Sequence, residues 1–273
     1  MKNWLITGAS SGLGLGMTAK LLARGDTVFA VARRVETLGQ LHARHPDTLR
    51  IVALDLTDTL ALRREVDKVF AETQIDVVVS NAGYGLFGAA EELLDEQIDR
   101  QIATNLTASV QLIRAVLAPL RAQGRGRILQ VSSEGGQVAY PNFSLYHASK
   151  WGIEGFVESV AQEVAPFGIT FSIIEPGPTE TGFGAALDRA PETQVYDDTP
   201  AGAVRRAVAD GSFVLTGDAD RTVDAIIAAG DAQVAARRVA LGSTAFLNIE
   251  RELTRRLDEL RAQRELAFSA DRA

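Results

Sequence analysis

Trp4-Leu5-Ile6-Thr7-Gly8-Ala9-Ser10-Ser11-Gly12-Leu13-Gly14 opens the chain and sets its architecture. Residues 3–7 read as a short apolar strand, and a helical pattern begins inside the glycine run and continues over 12–24. Glycines at 8, 12 and 14 let the backbone turn tightly and come close to a pyrophosphate. The start of the following helix offers unpaired N–H groups and a partial positive charge to the same anion. Gly8, Ser10, Ser11, Gly12, Leu13 and Gly14 are therefore expected to cradle a dinucleotide. A glycine trio alone says little, because a tight strand-helix turn needs no ligand. Its place on the first strand of a strand-helix alternation gives it weight.

That alternation runs the length of the chain. Strands are expected at 3–7, 27–32, 50–54, 76–80, 127–132, 169–175 and 238–241. Helices are expected at 12–24, 35–44, 59–73, 91–103, 106–123, 146–165, 217–230 and 243–265. Strand runs such as Val77-Val78-Val79 and Ile51-Val52-Ala53-Leu54 are nearly all apolar, the pattern of strands buried on both faces of a parallel sheet. Only 178–216 breaks the rhythm, with Pro178, Gly182, Gly184, Pro191, Pro200 and Gly202 and room for a short helix near 201–209. A loop that long in a compact domain is usually a lid or a disordered segment. No repeat or linker divides the chain. The reading is one α/β domain over 1–273, a Rossmann-type doubly wound parallel sheet of about seven strands flanked by helices. It carries a mobile substrate-loop flap at 178–216 and a C-terminal helix at 243–265.

The second strand bears on which dinucleotide is held. Sites for the unphosphorylated form usually end this strand in an Asp or Glu that holds the ribose 2′-OH. Here Val28-Phe29-Ala30-Val31-Ala32 ends without a carboxylate, and Arg33-Arg34 follow. Two arginines ahead of the helix expected at 35–44 oppose its macrodipole, so their placement asks for a compensating anion. A 2′-phosphate supplies one through charge-assisted hydrogen bonds, and Ser10 can add a hydroxyl. NADP(H) is the expected cofactor. Asp55-Leu56 and Asn81-Ala82-Gly83 follow the third and fourth strands, on the edge where such sheets bind ligands. For Asp55, turn chemistry before the next helix is an equal reading.

Composition narrows the alternatives. A net charge of −7 over 273 residues opposes a nucleic-acid surface, which usually needs a basic face. The absence of cysteine removes disulfides, thiolate chemistry and cysteine metal sites, and suits a reducing cytoplasm. No apolar run approaches the roughly 20 residues of a membrane helix. The first strand starts almost at Met1, so no signal peptide is expected ahead of it. His42 and His45 lie three apart with no third ligand nearby in sequence, and are read as surface residues rather than a metal site.

Tyr146-His147-Ala148-Ser149-Lys150 opens an apolar-periodic helix, and Tyr146 and Lys150, four apart, share one face. A phenol is a poor acid-base catalyst at neutral pH, but a neighbouring ammonium favours its ionised form. His147 points elsewhere and is read as packing. Tyr-x-x-x-Lys alone is common by chance. Here, however, Val131-Ser132-Ser133 ends the fifth strand, and Ser133 lies thirteen residues before Tyr146. The glycine turn, Asn-Ala-Gly, strand-end serines and Tyr-x-x-x-Lys, in this order, resemble the short-chain dehydrogenase/reductase family over about residues 3–182. The Gly-x-x-x-Gly-x-Gly spacing is similar to its single-domain branch. Glu175-Pro176-Gly177-Pro178 looks most like bacterial members grouped with hydroxysteroid and retinol dehydrogenases.

The resemblance implies roles residue by residue. Tyr146 protonates the carbonyl oxygen in reduction or takes the hydroxyl proton in oxidation, and Ser133 hydrogen-bonds that oxygen. Lys150 tunes Tyr146 and binds the nicotinamide ribose. Asn105, in Thr104-Asn105-Leu106, matches the residue that holds a proton-relay water. Pro176, Gly177 and Thr181 match the segment around the nicotinamide, and the Arg33 position looks NADP-preferring. Ser80 and Glu175 depart slightly from the family pattern, and neither is expected to touch the chemistry. Ser132 is the less favoured of the two serines, its spacing to Tyr146 being one too long. The implied protein is a carbonyl reductase or alcohol dehydrogenase of a largely apolar small molecule, given Phe183, Leu187, Val195, Tyr196, Phe213 and Val214 in the flap. It would pair as a homodimer or homotetramer through helices 106–123 and 146–165, without nucleic-acid or membrane partners. A sensor or scaffold that binds NADP(H) without turnover is the alternative. It normally shows as loss of the tyrosine, lysine or serine, and all three are present.

Overall fold

The apolar runs become strands, and the stretches between them fold back as helices. The computed structural model describes residues 1–272. In chain order the strands are β1 (Asn3–Thr7), β2 (Thr27–Ala32), β3 (Leu49–Ala53), β4 (Val77–Ser80), β5 (Leu86–Phe87), β6 (Gly126–Val131), β7 (Ile169–Pro176), β8 (Asp188–Arg189) and β9 (Arg238–Leu241). The α-helices are α1 (Gly12–Ala23), α2 (Gly39–Arg44), α3 (Thr59–Glu72), α4 (Asp95–Ile102), α5 (Ala108–Gln123), α6 (Ser144–Val164), α7 (Pro200–Ala209), α8 (Ala219–Asp231), α9 (Ser243–Ala262) and α10 (Arg264–Ser269).

Seven strands form one parallel sheet in the order β3-β2-β1-β4-β6-β7-β9. From β1 the chain builds outward through β2 to β3, then crosses back to place β4 on the other side of β1. That reversal opens a crevice at the C-terminal ends of β1 and β4, where open α/β sheets bind ligands. The turns that carry the motifs, after β1, β4, β6 and β7, all lie along this edge.

Period-two alternation explains why the strands look uniformly apolar. Trp4 and Ile6 of β1 face one layer of helices, with Val28 and Ala30 of β2, Met17 and Leu21 of α1, and Ile226 of α8. Leu5, Phe29 and Val78 face the other, against Leu112 and Val116 of α5 and Ile153 and Val157 of α6. Each large apolar side chain fully buried in this way contributes roughly 1.5–3 kcal/mol. Two cores, one on each face, hold the sheet edge rigid beneath the turns.

Four local readings need correction. The helix expected at 35–44 is a 3₁₀ turn, Glu36–Leu38, followed by the short α2. A three-residue turn carries little dipole, so the macrodipole reason for Arg33-Arg34 weakens, and their charge must be judged on its own. The segment at 91–103 begins as a 3₁₀ turn, Ala90–Glu92, before α4. The break expected near 104–105 is instead a π-helical turn, Ala103–Thr107, running α4 into α5. The C-terminal helix ends at Ala262, and α10 follows after Gln263.

The flap at 178–216 is not uniformly loose. Its expected short helix is α7, and its middle is docked: β8 pairs with β5, and Gln97 Nε2 donates to Asp188 Oδ1 at 2.8 Å. Arg205 of α7 and Glu92 form a buried ion pair, with Thr193 donating its N–H and hydroxyl to the same carboxylate at 2.7 Å each. Asn142 Nδ2 donates to the Ala201 carbonyl at 2.8 Å. Residues 182–186 and 211–216 stay exposed on either side. Proline and glycine in the sequence cannot reveal such an anchor, because its partners Glu92 and Asn142 come from distant turns.

Candidate active site

The turn after β1 is made of backbone. Gly8 and Gly12 hold positive φ of 67° and 50°, and a Cβ on Gly14 would lie 2.2 Å from the Gly8 carbonyl oxygen. Ser11 caps α1 without a side-chain hydrogen bond, and the first turn contains no acid. The N–H groups there are free to meet an anion, and Ser11 and Gly12 are exposed. Asn81 braces the turn from below: its Nδ2 donates to the Thr7 carbonyl at 2.9 Å, and its N–H to Thr7 Oγ1 at 3.0 Å. The side chain expected to touch cofactor thus supports the loop that would.

Beyond β2, Arg33 and Arg34 are exposed, and Arg33 Nη1 lies 4.0 Å from Asp55 Oδ2. Asp55 accepts from the Thr57 N–H at 2.9 Å and hydroxyl at 2.7 Å, which, with Arg33, holds its carboxyl below the usual range. Asp55 is doing turn chemistry here, and Leu56 packs against the core.

Asn105, Gly83, Ser149 and Lys150 converge at the ends of β4 and β6. Asn105 sits in the π turn, a distortion frequent at functional sites. Its Oδ1 accepts from the Tyr84 N–H at 3.1 Å, and its Nδ2 donates to the Tyr84 carbonyl at 2.8 Å. A Cβ on Gly83 would come 3.2 Å from Asn105 Oδ1 and 3.8 Å from Lys150 Nζ. Lys150 is buried, donates to the Val131 carbonyl at 3.0 Å, and lies 5.6 Å from the centroid of the Tyr146 ring.

The two serines have separate duties. The Ser133 hydroxyl faces the Tyr146 phenol and favours its ionised form. Ser132 is turned away and donates to Glu154 Oε1 at 2.5 Å. Ser133 is the serine on the side of the phenol. Tyr146 itself is half-buried, and burial pushes its phenol up to about 12 despite Ser133, with Glu134 adding to the rise. Burial pushes Lys150 down to about 8. The expectation that the ammonium brings the phenol toward neutrality is therefore corrected: burial of Tyr146 outweighs the hydrogen bond from Ser133. His147 is buried against Tyr140, at 5.3 Å between ring centroids, and burial lowers it to about 4, consistent with packing.

At the end of β7, the Gly177 N–H donates to the Leu241 carbonyl at 3.0 Å. Thr181 Oγ1 accepts from the Phe183 N–H at 3.2 Å and starts the exposed part of the flap. Three neighbours complete the surroundings, and of these only Phe183 was expected near the substrate, as part of the apolar flap. Phe183 lies 5.7 Å from Tyr146 between centroids, capping the phenol from the flap. Glu134, adjacent to Ser133, is buried and accepts from Asn248 of α9 at 3.2 Å. Glu154 lies one turn beyond Lys150 on α6, and the sequence reading had passed over this four-residue spacing.

The residues present suit a dinucleotide. An uncapped helix start, a turn with no room for a side chain at Gly14, and a buried lysine beside a tyrosine lie along one crevice. Among the described residues no cluster of His, Cys, Asp and Glu could hold a metal, and no helix is long and apolar enough to cross a membrane.

Comparison with known proteins accords with this geometry. Residues 2–192 match the short chain dehydrogenase family, and the chain belongs to it. The chain is 39% identical over 192 residues to oxidoreductase BOA17 of Botryotinia fuckeliana, covering 70% of each. It is 37% identical over 182 residues to a 3-ketodihydrosphingosine reductase of Bacteroides thetaiotaomicron, covering 66% of this chain and 64% of that one. A short-chain dehydrogenase structure from Streptomyces avermitilis superimposes with a TM-score of 0.91 at 35% identity, over 99% of this chain and 100% of that one. The protein is an oxidoreductase of the nicotinamide-dinucleotide-dependent class.

Proposed function

We propose that this protein interconverts a ketone or aldehyde and an alcohol with NADP(H), on a largely apolar small molecule. The observation that carries the reading is the convergence of Tyr146, Ser133, Lys150 and Asn105 on the same sheet edge as the uncapped start of α1. NADPH, when bound, supplies the hydride. Gly8, Ser10, Ser11, Gly12, Leu13 and Gly14 would hold its pyrophosphate region, with Asp55, Leu56, Ala82 and Gly83 along the same edge. Arg33, with Arg34 beside it, would take the 2′-phosphate, in keeping with the missing carboxylate at the end of β2. Pro176, Gly177 and Thr181 would border the nicotinamide.

In reduction, the Tyr146 hydroxyl donates its proton to the substrate oxygen while Ser133 donates a hydrogen bond to the same atom. A phenol held near 12 is fully protonated at neutral pH, ready to act as the acid. Lys150, kept as an ammonium, favours the phenolate left behind and helps hold the ribose. Asn105, fixed by both of its bonds to Tyr84, anchors a proton path to solvent. The exposed parts of the flap close over the substrate and exclude water. Phe183 over Tyr146, with Phe143 at 6.1 Å from it, makes the pocket apolar. One relative is likewise named as the reductase of a ketone, 3-ketodihydrosphingosine. Action in the cytoplasm as a homodimer or homotetramer completes the reading.

The test is a panel of ketones, aldehydes and secondary alcohols, followed by cofactor absorbance with NADPH and NADH in parallel. Turnover of apolar ketones with NADPH is expected. Tight NADPH binding with no turnover of any panel member would favour the sensor reading instead.

A further inference from the structure

Beneath the catalytic groups lies a cluster of charge that the proton transfer does not use. Glu154 and Glu175 are buried, 3% and 1% exposed, and Arg238 of β9 reaches both: Nη1 donates to Glu154 Oε2 at 2.6 Å and to Glu175 Oε1 at 2.5 Å. Its Nε donates to Glu158 Oε1 at 3.0 Å. The other oxygen of Glu154 takes the Ser132 hydroxyl at 2.5 Å, and Gln137 Nε2 donates to Glu175 Oε1 at 2.8 Å. A Cβ on Gly136 would fall 1.7 Å from Glu154 Oε1, so the loop after Ser133 lies directly on this carboxylate. The cluster ties together α6, which carries Tyr146 and Lys150, the end of β6, which carries Ser133, and the end of β7, which leads into Gly177.

We propose that Glu154 is a positioning residue for the reaction: it clamps Ser132, and through it Ser133, and lays a negative charge beneath Lys150 that helps keep that lysine an ammonium. Tyr146, Lys150 and Glu154 fall at four-residue steps on one face of α6. Burial drives Lys150 toward its neutral form, and the charge opposing this is Glu154. Stability alone does not explain such a cluster, since buried ion pairs are often replaceable by apolar side chains without loss. The charged groups facing this region are Glu158 from α6, Glu175 from β7, Arg238 from β9 with Arg237 just before it, and Glu134 from the loop after Ser133. Burial and the neighbouring Glu154 push Glu175 up to about 7. Of the two buried carboxylates, Glu154 is the one that shares a face of α6 with Lys150.

This rests on the assignment of Lys150 and Tyr146 above, and its test is chosen to be separable from it. The chain has four lysines, Lys2, Lys20, Lys68 and Lys150, so ¹³C at lysine Cε yields four assignable signals in the cofactor-free protein. In Glu154→Gln the Lys150 midpoint should fall by about one unit, equivalent to about a tenfold change in the ammonium-to-amine ratio. The alkaline limb of kcat should move down with it. Glu175→Gln, which removes a carboxylate of the same cluster from a different element, should leave the midpoint in place. Glu154→Asp keeps the charge but retracts it from Ser132, and should lower kcat at every pH with little change in the KM for NADPH. An unchanged Lys150 midpoint in a folded Glu154→Gln protein, or an equal shift in Glu175→Gln, overturns the charge role. An unchanged kcat in Glu154→Asp overturns the clamp, and decides the matter if the Gln variant does not fold. Failure of the wild-type protein to turn over any carbonyl sinks the proposed function instead, and leaves the lysine titration readable.

Discussion

The turn after β1 and the floor beneath β6 and β7 face the same crevice but are built from different materials. The turn is backbone: glycines at 8, 12 and 14, an uncapped helix start, and an asparagine that braces from below. The floor is side chains: a phenol, an ammonium, two serines, and behind them two buried carboxylates on one arginine. Backbone N–H groups do not titrate, so they suit an anion whose charge is constant. Moving a proton needs groups that titrate, in a place where burial and neighbours set their proton affinity. Burial therefore costs little at the turn and decides everything at the floor.

The contrast breaks most sharply at Tyr146. Tyr146→Phe keeps the ring against Phe143 and Phe183 but removes the proton donor, and should slow turnover by about 10²–10⁴-fold. NADPH binding, measured by fluorescence or calorimetry, should survive, because the turn is untouched. A Tyr146→Phe protein that reduces its best ketone at the wild-type rate would refute both the mechanism and the contrast.

The next effect lies in the flap. Arg205→Ala leaves Glu92 buried without its cation, a change that costs about 3–5 kcal/mol in comparable pairs. Denaturant titration should register the loss, and hydrogen exchange over 188–209 should rise toward the rates of 182–186 and 211–216. Slow exchange across all of 178–216 in both proteins would show that the anchor does not divide the flap.

The smallest effect sharpens the cofactor side. Losing a charge-assisted contact costs roughly 1.5–3 kcal/mol, so Arg33→Ala should weaken NADPH by about that much and leave NADH nearly unchanged. Dissociation constants for the two cofactors decide it, and equal wild-type affinities would remove Arg33 from the selection of NADP(H).

The glycine turn, the alternation and the order of motifs were legible because each depends on neighbours in sequence. Strand bounds agree to within a residue or so, since period and burial travel together along a strand. What escaped depends on partners far apart. Glu175 was read as a departure that touches no chemistry, yet it joins Arg238, sixty-three residues on, beneath the end of β7. Glu92 drew no reading from the sequence, because its partner Arg205 closes on it from α7, 113 residues on. The π turn at Asn105 was invisible because nothing in Ala103-Thr104-Asn105-Leu106-Thr107 distinguishes it from an ordinary helical join.

From the chain alone came the doubly wound sheet, the dinucleotide turn, and the pairing of Tyr146 with Lys150, because covalent spacing places these groups on adjacent turns and strand ends; the preference for Ser133 came with the family resemblance. Tertiary structure decided which serine faces the phenol, how the flap is anchored, and which charge lies under Lys150. Proton affinity was also decided there, since desolvation depends on what the rest of the chain packs around a group, and no local stretch of sequence contains that.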